Sequence, residues 1–317
     1  MSTIATKLLG QRTRRWRETI TGYLFTSPFL VGFLWFTAIP MAIAFYLAFT
    51  KYNIIKPAEW VGLGNFMRLT QDERLRIALF NTAFYAGISV PLYLVTSFLA
   101  SLAMNLKIKG IRWYRTIFYL PSVTPAVASA MLWVWIFNPQ WGMANSALDL
   151  FGIRHQDWLL DPHLAKPCLI FMGLWGLGPT MVIFLAGLQG VPESLYEAAM
   201  IDGAGTWGRF WNVTVPIISP VIFFNLIMGI IGSFQIFTTA FVMTAAGAGG
   251  SRSYGVGGIQ DCLLFYVLYL YQQGFYFHHM GYASAMGWLL LTIILILTII
   301  QFRLQERWVY YEAERRL

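Results

Sequence analysis

The sequence predicts an all-α membrane protein with six transmembrane helices, on three observations. Of 317 residues, 57% are hydrophobic and only 11% are charged, where a soluble domain carries about 25% charged residues. Such a chain cannot cover its apolar surface with charge, so lipid must be its solvent. Six segments, at about 22–49, 78–104, 116–138, 167–189, 217–243 and 281–302, are apolar and long enough to cross a bilayer, which takes roughly 20 residues. None of the 22 basic or 14 acidic residues falls inside them.

The first segment follows basic residues, as the core of a signal peptide does. It is too long for one and lacks a small-residue cleavage site, so it reads as an uncleaved span. Basic residues then set the orientation. With the N-terminus inside, inner segments hold 14 of the 22 Lys and Arg residues, including Lys7, Arg12, Arg14, Arg15, Arg17, Lys107, Lys109, Arg112 and Arg115. The bias places both termini in the cytoplasm. It also explains the net charge of +8 without nucleic acid, because the charge is not gathered on one face.

Between the first two spans, Trp60-Val61-Gly62-Leu63-Gly64-Asn65-Phe66 reads as an aromatic interfacial turn, and Asp72–Arg76 as a short amphipathic surface helix. In the third span, Pro121 and Pro125 loosen or kink the helix and free backbone groups that lipid cannot satisfy. Trp133, Trp135 and Trp141 crowd its outer end. The outer segment 139–166 shows no clear periodicity. Its His155 and His163 read as solvated loop residues, since no thiols or further imidazoles stand at metal-ligand spacing.

The fourth span is rich in glycine (Gly173, Gly176, Gly178, Gly187), which lets helices approach closely in lipid, and Gly178-Pro179 predicts a break. On the fifth, Asn225, Gly229, Gly232 and Thr239 share one helical face with Gln235 at its margin. A loop of about 37 residues follows, opening on a Gly-rich, flexible stretch. Its apolar run 262–271 is too short for a seventh span and fits an interfacial or re-entrant helix. Cys168 and Cys262 read as isolated small apolar residues, a disulfide being the alternative.

The polar stretch Glu197–Pro216, EAAMIDGAGTWGRFWNVTVP, sits between the fourth and fifth spans on the cytoplasmic side. Locally it reads helix, turn, helix. Pro192 suits a first helical position, Gly203 a C-terminal cap and Thr206 an N-cap. Pro216 is expected to bar the second helix from running into the next apolar run. Each half is too short to span, so the stretch forms an elbow that a soluble partner could grip.

The spacing Glu197-Ala198-Ala199, three residues, Gly203, nine residues, Val213-Thr214-Val215-Pro216 resembles the EAA loop of permease subunits of bacterial ABC importers. Val213 and Val215 stand where the family usually has Ile and Leu. The Trp60–Phe66 segment, Arg115, Pro121, Trp133, Gly142 and Met280–Ala285 also resemble the permeases for sugars, polyols and glycerol phosphates. The resemblance covers about residues 20–303. It implies a type I importer permease core formed by spans 2–6, plus an N-terminal span. It divides the chain into a basic cytoplasmic N-terminus (1–21), first span (22–49), periplasmic loop (50–75), core (76–303, loop 197–216) and cytoplasmic tail (304–317).

The resemblance further implies a second permease subunit, two ATP-binding cassette ATPases and an extracytoplasmic solute-binding protein as partners. Glu197, Ala198, Ala199, Asp202 and Gly203 would contact the ATPase, and Pro216 would transmit movement. No G-x-x-x-x-G-K-[ST] loop occurs, so ATP binding and hydrolysis are expected on partner chains. No nucleic acid, metal or cofactor is implied, and no catalytic residue is assigned. The alternatives are an ion-coupled secondary transporter, which the charge-free spans argue against, and an ABC permease for a non-carbohydrate solute. Asn225, Gln235 and Trp175, polar without charge or aromatic, are the candidate contacts for a neutral hydroxylated solute.

Overall fold

The computed structural model describes residues 2–247 and 257–310. Among them, four helices are long and apolar enough to cross a membrane, and two bent helix pairs are so together. These are the six expected spans. The Gly-rich stretch after the fifth span falls mostly outside the described residues.

The first span joins α1 (Ser2–Phe33) to α2 (Ile39–Ala48) through a π-turn at Leu34–Ala38. Pro40 stands just beyond that turn. In an α-helix a proline ring clashes with the carbonyl four residues back. The widened turn, closed by Ile39 N–H on the Leu34 carbonyl, relieves the clash and lets the helix continue.

A two-residue ribbon, β1 (Thr50–Lys51) with β2 (Glu59–Trp60), follows. The Asn65 side-chain amide donates to the Ala48 and Thr50 carbonyls, at 2.8 and 2.9 Å, and so closes the end of the first span. The amphipathic surface helix is α3 (Gly64–Gln71), not Asp72–Arg76 as expected. Asp72 is instead the N-cap of α4 (Glu73–Met104), its Oδ1 accepting Leu75 N–H at 3.1 Å. That cap satisfies an otherwise orphaned donor and draws the charged turn into the second span.

The third span is α5 (Ile111–Tyr119), a 3-10 turn at Leu120–Val123, and α6 (Ala126–Ile136), with 97° between the two helices. Pro125 pushes Thr124 into extended backbone, ψ 131°. A short α7 (Met143–Asp149) comes next. His155 pairs with Asp149 at 2.8 Å on the surface, and the described residues contain no cluster of three or more metal-ligand side chains.

The fourth span is α8 (Ala165–Leu174) and α9 (Gly178–Gln189), bent by 48° at the predicted break. A Cβ on Gly178 would stand 2.8 Å from Tyr119 Cα and 2.9 Å from the Phe118 carbonyl oxygen. The breaks in the third and fourth spans therefore meet backbone to backbone.

Then come α10 (Glu193–Ile201), α11 (Thr206–Arg209), a π-turn at Phe210–Thr214, α12 (Val215–Phe234) and α13 (Thr238–Gly247). Pro216 does not separate the elbow from the span. Val215 N–H reaches the Phe210 carbonyl, the same widened turn that precedes Pro40, and helix runs unbroken from α11 through α12.

Residues 262–271 are not a seventh span, as expected from their length. They contain the six-residue α14 (Tyr266–Tyr271), and Cys262–Tyr266, Leu268 and Tyr269 are buried within the protein. Tyr266 N–H donates to Thr82 Oγ1 on α4, and its hydroxyl donates to the Met286 carbonyl on α15 (Met280–Gln305), the last span. Cys168 and Cys262 are buried free thiols in one apolar cluster, as the small-apolar reading expects.

Beside them, Asp72 Oδ2 accepts hydrogen bonds from the Tyr269 and Tyr282 hydroxyls, each at 2.7 Å, and Arg74 forks onto Asp261. Burial acts to raise the Asp72 pKa, but the two phenols and the backbone donors outweigh it and hold the carboxyl below its ordinary value. This clasp ties the second span to the loop before the sixth.

Candidate functional site

The elbow is built from local rules. Pro192 is the N-cap of α10 rather than its first helical residue, and Glu193 places a carboxylate at the positive end of the helix. Gly203 has φ +80°. Its N–H bonds the Met200 carbonyl at 3.0 Å, and Ala204 N–H bonds the Ala199 carbonyl at 2.8 Å. This pair of bonds is a Schellman closure. An added Cβ on Gly203 would meet nothing within 4 Å, so positive φ, not space, demands glycine there. Gly205, not Thr206, caps the second arm, and Thr206 is its first helical residue.

Glu197, Ala198, Asp202 and Gly203 are exposed and Ala199 is partly exposed. Around them stand large apolar side chains that are also uncovered, with Ile201 87% exposed, Trp207 74% and Trp211 60%. Exposed apolar surface gathered in this way marks a contact with protein or membrane. At its root the elbow is fixed. Phe210 packs on Phe98 of α4 at 6.0 Å, and the Tyr196 hydroxyl lies 2.9 Å from Thr214 Oγ1. Sequence reasoning missed Tyr196, Thr214, Trp207 and Trp211. The tryptophans carried a signal, two large rings one helical turn apart on a segment too short to span.

The bent spans enclose two neighbouring cavities of about 230 and 270 Å³ that share Tyr85, Gly173, Ile236 and Thr239. The first is walled by Ser122, Thr124 and Ser129 of the third span, with Trp133 and Trp175. The second is walled by Ser89 and Tyr93 of α4 and by Gly229, Gly232 and Ser233 of α12. No Asp, Glu, Lys, Arg or His lines either. Tyr93 Oη donates to the Gly176 carbonyl at 3.0 Å, satisfying a group freed by the break in the fourth span.

The three candidate solute contacts are not brought together. Trp175 lines the first cavity, half exposed and edge-on to Trp133 with ring centroids 5.9 Å apart. Asn225 is buried and donates to the Val221 carbonyl of its own helix at 2.8 Å. Gln235 is the exposed C-cap of α12. Neither Asn225 nor Gln235 lines either cavity, whereas Gly229, Gly232 and Thr239 of the same predicted face do.

Residues 93–310 match the family described as "Binding-protein-dependent transport system inner membrane component". The chain is 41% identical over 301 residues to the probable ABC transporter permease protein YesP of Bacillus subtilis (strain 168), covering 94% of each. It is 32% identical to the arabinooligosaccharides transport system permease protein AraP of the same organism, over 95% of this chain and 93% of the relative. With the sn-glycerol-3-phosphate transport system permease protein UgpA of Yersinia pestis it shares 34% over 257 residues, 80% of this chain and 83% of that one.

Among solved structures, a chain of a bacterial alginate ABC transporter, crystallised with an alginate pentasaccharide-bound periplasmic protein, superposes with a TM-score of 0.80. The match covers 93% of this chain and 96% of that one at 23% identity, which establishes the fold. The charge-free spans, the exposed elbow and these relatives agree, and the chain belongs to the binding-protein-dependent inner membrane component family, as a permease subunit of an ABC importer.

Proposed function

We propose that the chain forms half of the path for a neutral sugar or polyol and that the elbow drives it. One observation carries this reading. The helix that begins in the exposed elbow continues through the π-turn into α12, whose Gly229, Gly232 and Ser233 wall a cavity. A push on the second arm therefore reaches the cavity wall along one helix, and a push on the first arm reaches it across the turn at Gly203. Glu197, Ala198, Ala199, Asp202 and Gly203, with Ile201, Trp207 and Trp211, contact an ATPase subunit, and Pro216 sits at the relay. ATP is hydrolysed on that partner.

The assembly comprises this chain, a second permease subunit, two ATPase subunits and an extracytoplasmic solute-binding protein, with both termini of this chain in the cytoplasm. Relatives named for arabinooligosaccharides, and for trehalose and maltose, support a carbohydrate. Hydroxyl and aromatic walls suit such a solute, with ring faces for stacking and Ser or Thr for hydrogen bonds. The absence of basic side chains disfavours a phosphorylated one. Trp175, in the first cavity, is the contact we favour; Asn225 and Gln235 act through helix packing or another state of the path.

The test is uptake into proteoliposomes holding the full complex, with ATP inside, of labelled arabinotriose, maltose and glycerol 3-phosphate. ATP-dependent uptake of a neutral sugar supports the reading. Uptake of glycerol 3-phosphate alone, or uptake on an ion gradient without ATP, contradicts it.

A further inference from the structure

Thr214 is buried, polar and placed where a π-turn has displaced the backbone ladder. It is 6% exposed and ends the turn Phe210–Thr214. Its Oγ1 lies 2.9 Å from the Tyr196 hydroxyl, eighteen residues earlier on the first arm of the elbow, and 3.5 Å from the Arg209 carbonyl, the last residue of the second arm. One hydrogen-bond direction satisfies all three groups. Thr214 donates to the Arg209 carbonyl and Tyr196 donates to Thr214.

The two arms are otherwise joined by the short turn at 202–205, at whose corner Gly203 stands. A turn alone lets one arm swing against the other. The Tyr196–Thr214 contact supplies the third side of a triangle whose other sides are α10 and the run from α11 into the π-turn. Apolar packing cannot replace it in kind. Tyr196 packs in the small cluster around Leu188, Val191 and Ile218, but such contacts resist separation more than they resist sliding. A directed hydrogen bond between a buried and a half-buried group fixes one relative orientation.

We propose that Tyr196 and Thr214 form a latch that makes the elbow rigid enough to transmit the ATPase stroke to α12. They are positioning residues: neither touches solute or nucleotide. The inference rests on the permease reading above and adds a role that the EAA spacing does not include, since Tyr196 stands before that pattern and Thr214 is the unspecified residue between its Val213 and Val215. Loss of the latch should leave docking surfaces and ATP hydrolysis in place while the stroke dissipates at the turn.

The experiment uses the full complex in proteoliposomes and needs no identified solute. A Ser122→Cys reporter in the first cavity is labelled by an impermeant maleimide added on the extracytoplasmic side, with and without ATP and vanadate. ATP hydrolysis and co-purification of the ATPase are measured on the same samples. Tyr196→Phe and Thr214→Val should each reduce the ATP-dependent change in labelling about threefold or more, the range that a lost intramolecular hydrogen bond commands. Combining them should do no more than either alone, and Thr214→Ser, which keeps the hydroxyl, should retain the change.

An undiminished change in both single variants overturns the latch while leaving the permease reading intact. Reduced co-purification of the ATPase also overturns it, since the pair would then be a docking element. No ATP-dependent change in the parental complex overturns the permease reading and the latch with it.

Discussion

Proline is handled in opposite ways at two pairs of sites in this molecule. In the third span, Pro121 and Pro125 end one helix and start another at 97°, and the fourth span bends by 48° beside it. In the first and fifth spans, Pro40 and Pro216 follow π-turns that carry the helix through. At these four sites the residue is the same and the turn before it differs. Around the first cavity the third and fourth spans are broken, and the freed groups face that cavity or a partner such as Tyr93. From the second arm of the elbow to the second cavity the helix is continuous. Broken and unbroken helices both supply polar lining, and the unbroken α12 also joins that lining to the elbow.

The largest expected effect breaks the lever at its corner. Gly203→Val places a β-branched side chain at φ +80°, at a cost of about 1–2 kcal/mol. ATP-driven uptake should fall about tenfold or more while membrane insertion, measured by fractionation, is unchanged. Normal uptake by this variant would remove the elbow from the mechanism.

The second effect attacks the broken region. Gly178→Ala sets a Cβ 2.8 Å from Tyr119 Cα and 2.9 Å from the Phe118 oxygen, backbone atoms that cannot rotate away. A loss of about 1–3 kcal/mol follows, as for an overpacked core, seen as a lowered melting temperature in detergent. Gly229→Ala is the control on the lever. Its Cβ would meet Val90 Cγ1 at 3.1 Å, the end of a side chain that can give, so its melting temperature should fall less. Equal losses would mean that the two regions do not differ in tolerance.

A smaller effect concerns the clasp at the other end of the molecule. Asp72 has a folded pKa below its ordinary value because two phenols and backbone donors stabilise the carboxylate. Such a group contributes stability that is fully present above its unfolded pKa and is lost as pH falls through the folded one. Asp72→Asn should therefore destabilise by about 1–2 kcal/mol near neutral pH, in the range of hydrogen bonds to a charged group. The gap between variant and parent should close below about pH 4. A gap that is constant from pH 7 to pH 3, read by thermal unfolding, would contradict the assignment.

Much of this was legible in the sequence, and what was not has a physical reason. Six charge-free apolar segments, the break at Gly178-Pro179 and the αL closure at Gly203 are local properties, so spacing and residue type sufficed. The π-turns were not legible. Pro216 alone signals an interrupted helix, and only the register of the packed chain shows that Val215 bonds back to Phe210. Asp72 was misplaced on a surface helix because its partners Tyr269 and Tyr282 lie 197 and 210 residues away. Asn225 and Gln235 were chosen for polarity on one helical face, but a buried Asn can satisfy itself within its own helix, and the cavities are walled instead by glycine, serine and threonine of spans whose bends the sequence did not orient.

The central claim is that the elbow and the fifth span move as one body against the broken spans. It is tested most directly by pulsed electron–electron distances in the full complex between labels on exposed positions. One pair is Leu195→Cys on α10 with Met228→Cys on α12, and the other is Leu195→Cys with Leu132→Cys on α6. On adding ATP and vanadate the first distance should stay constant while the second shifts. A first distance that changes as much as the second would show that the elbow bends away from α12, and the lever would be contradicted.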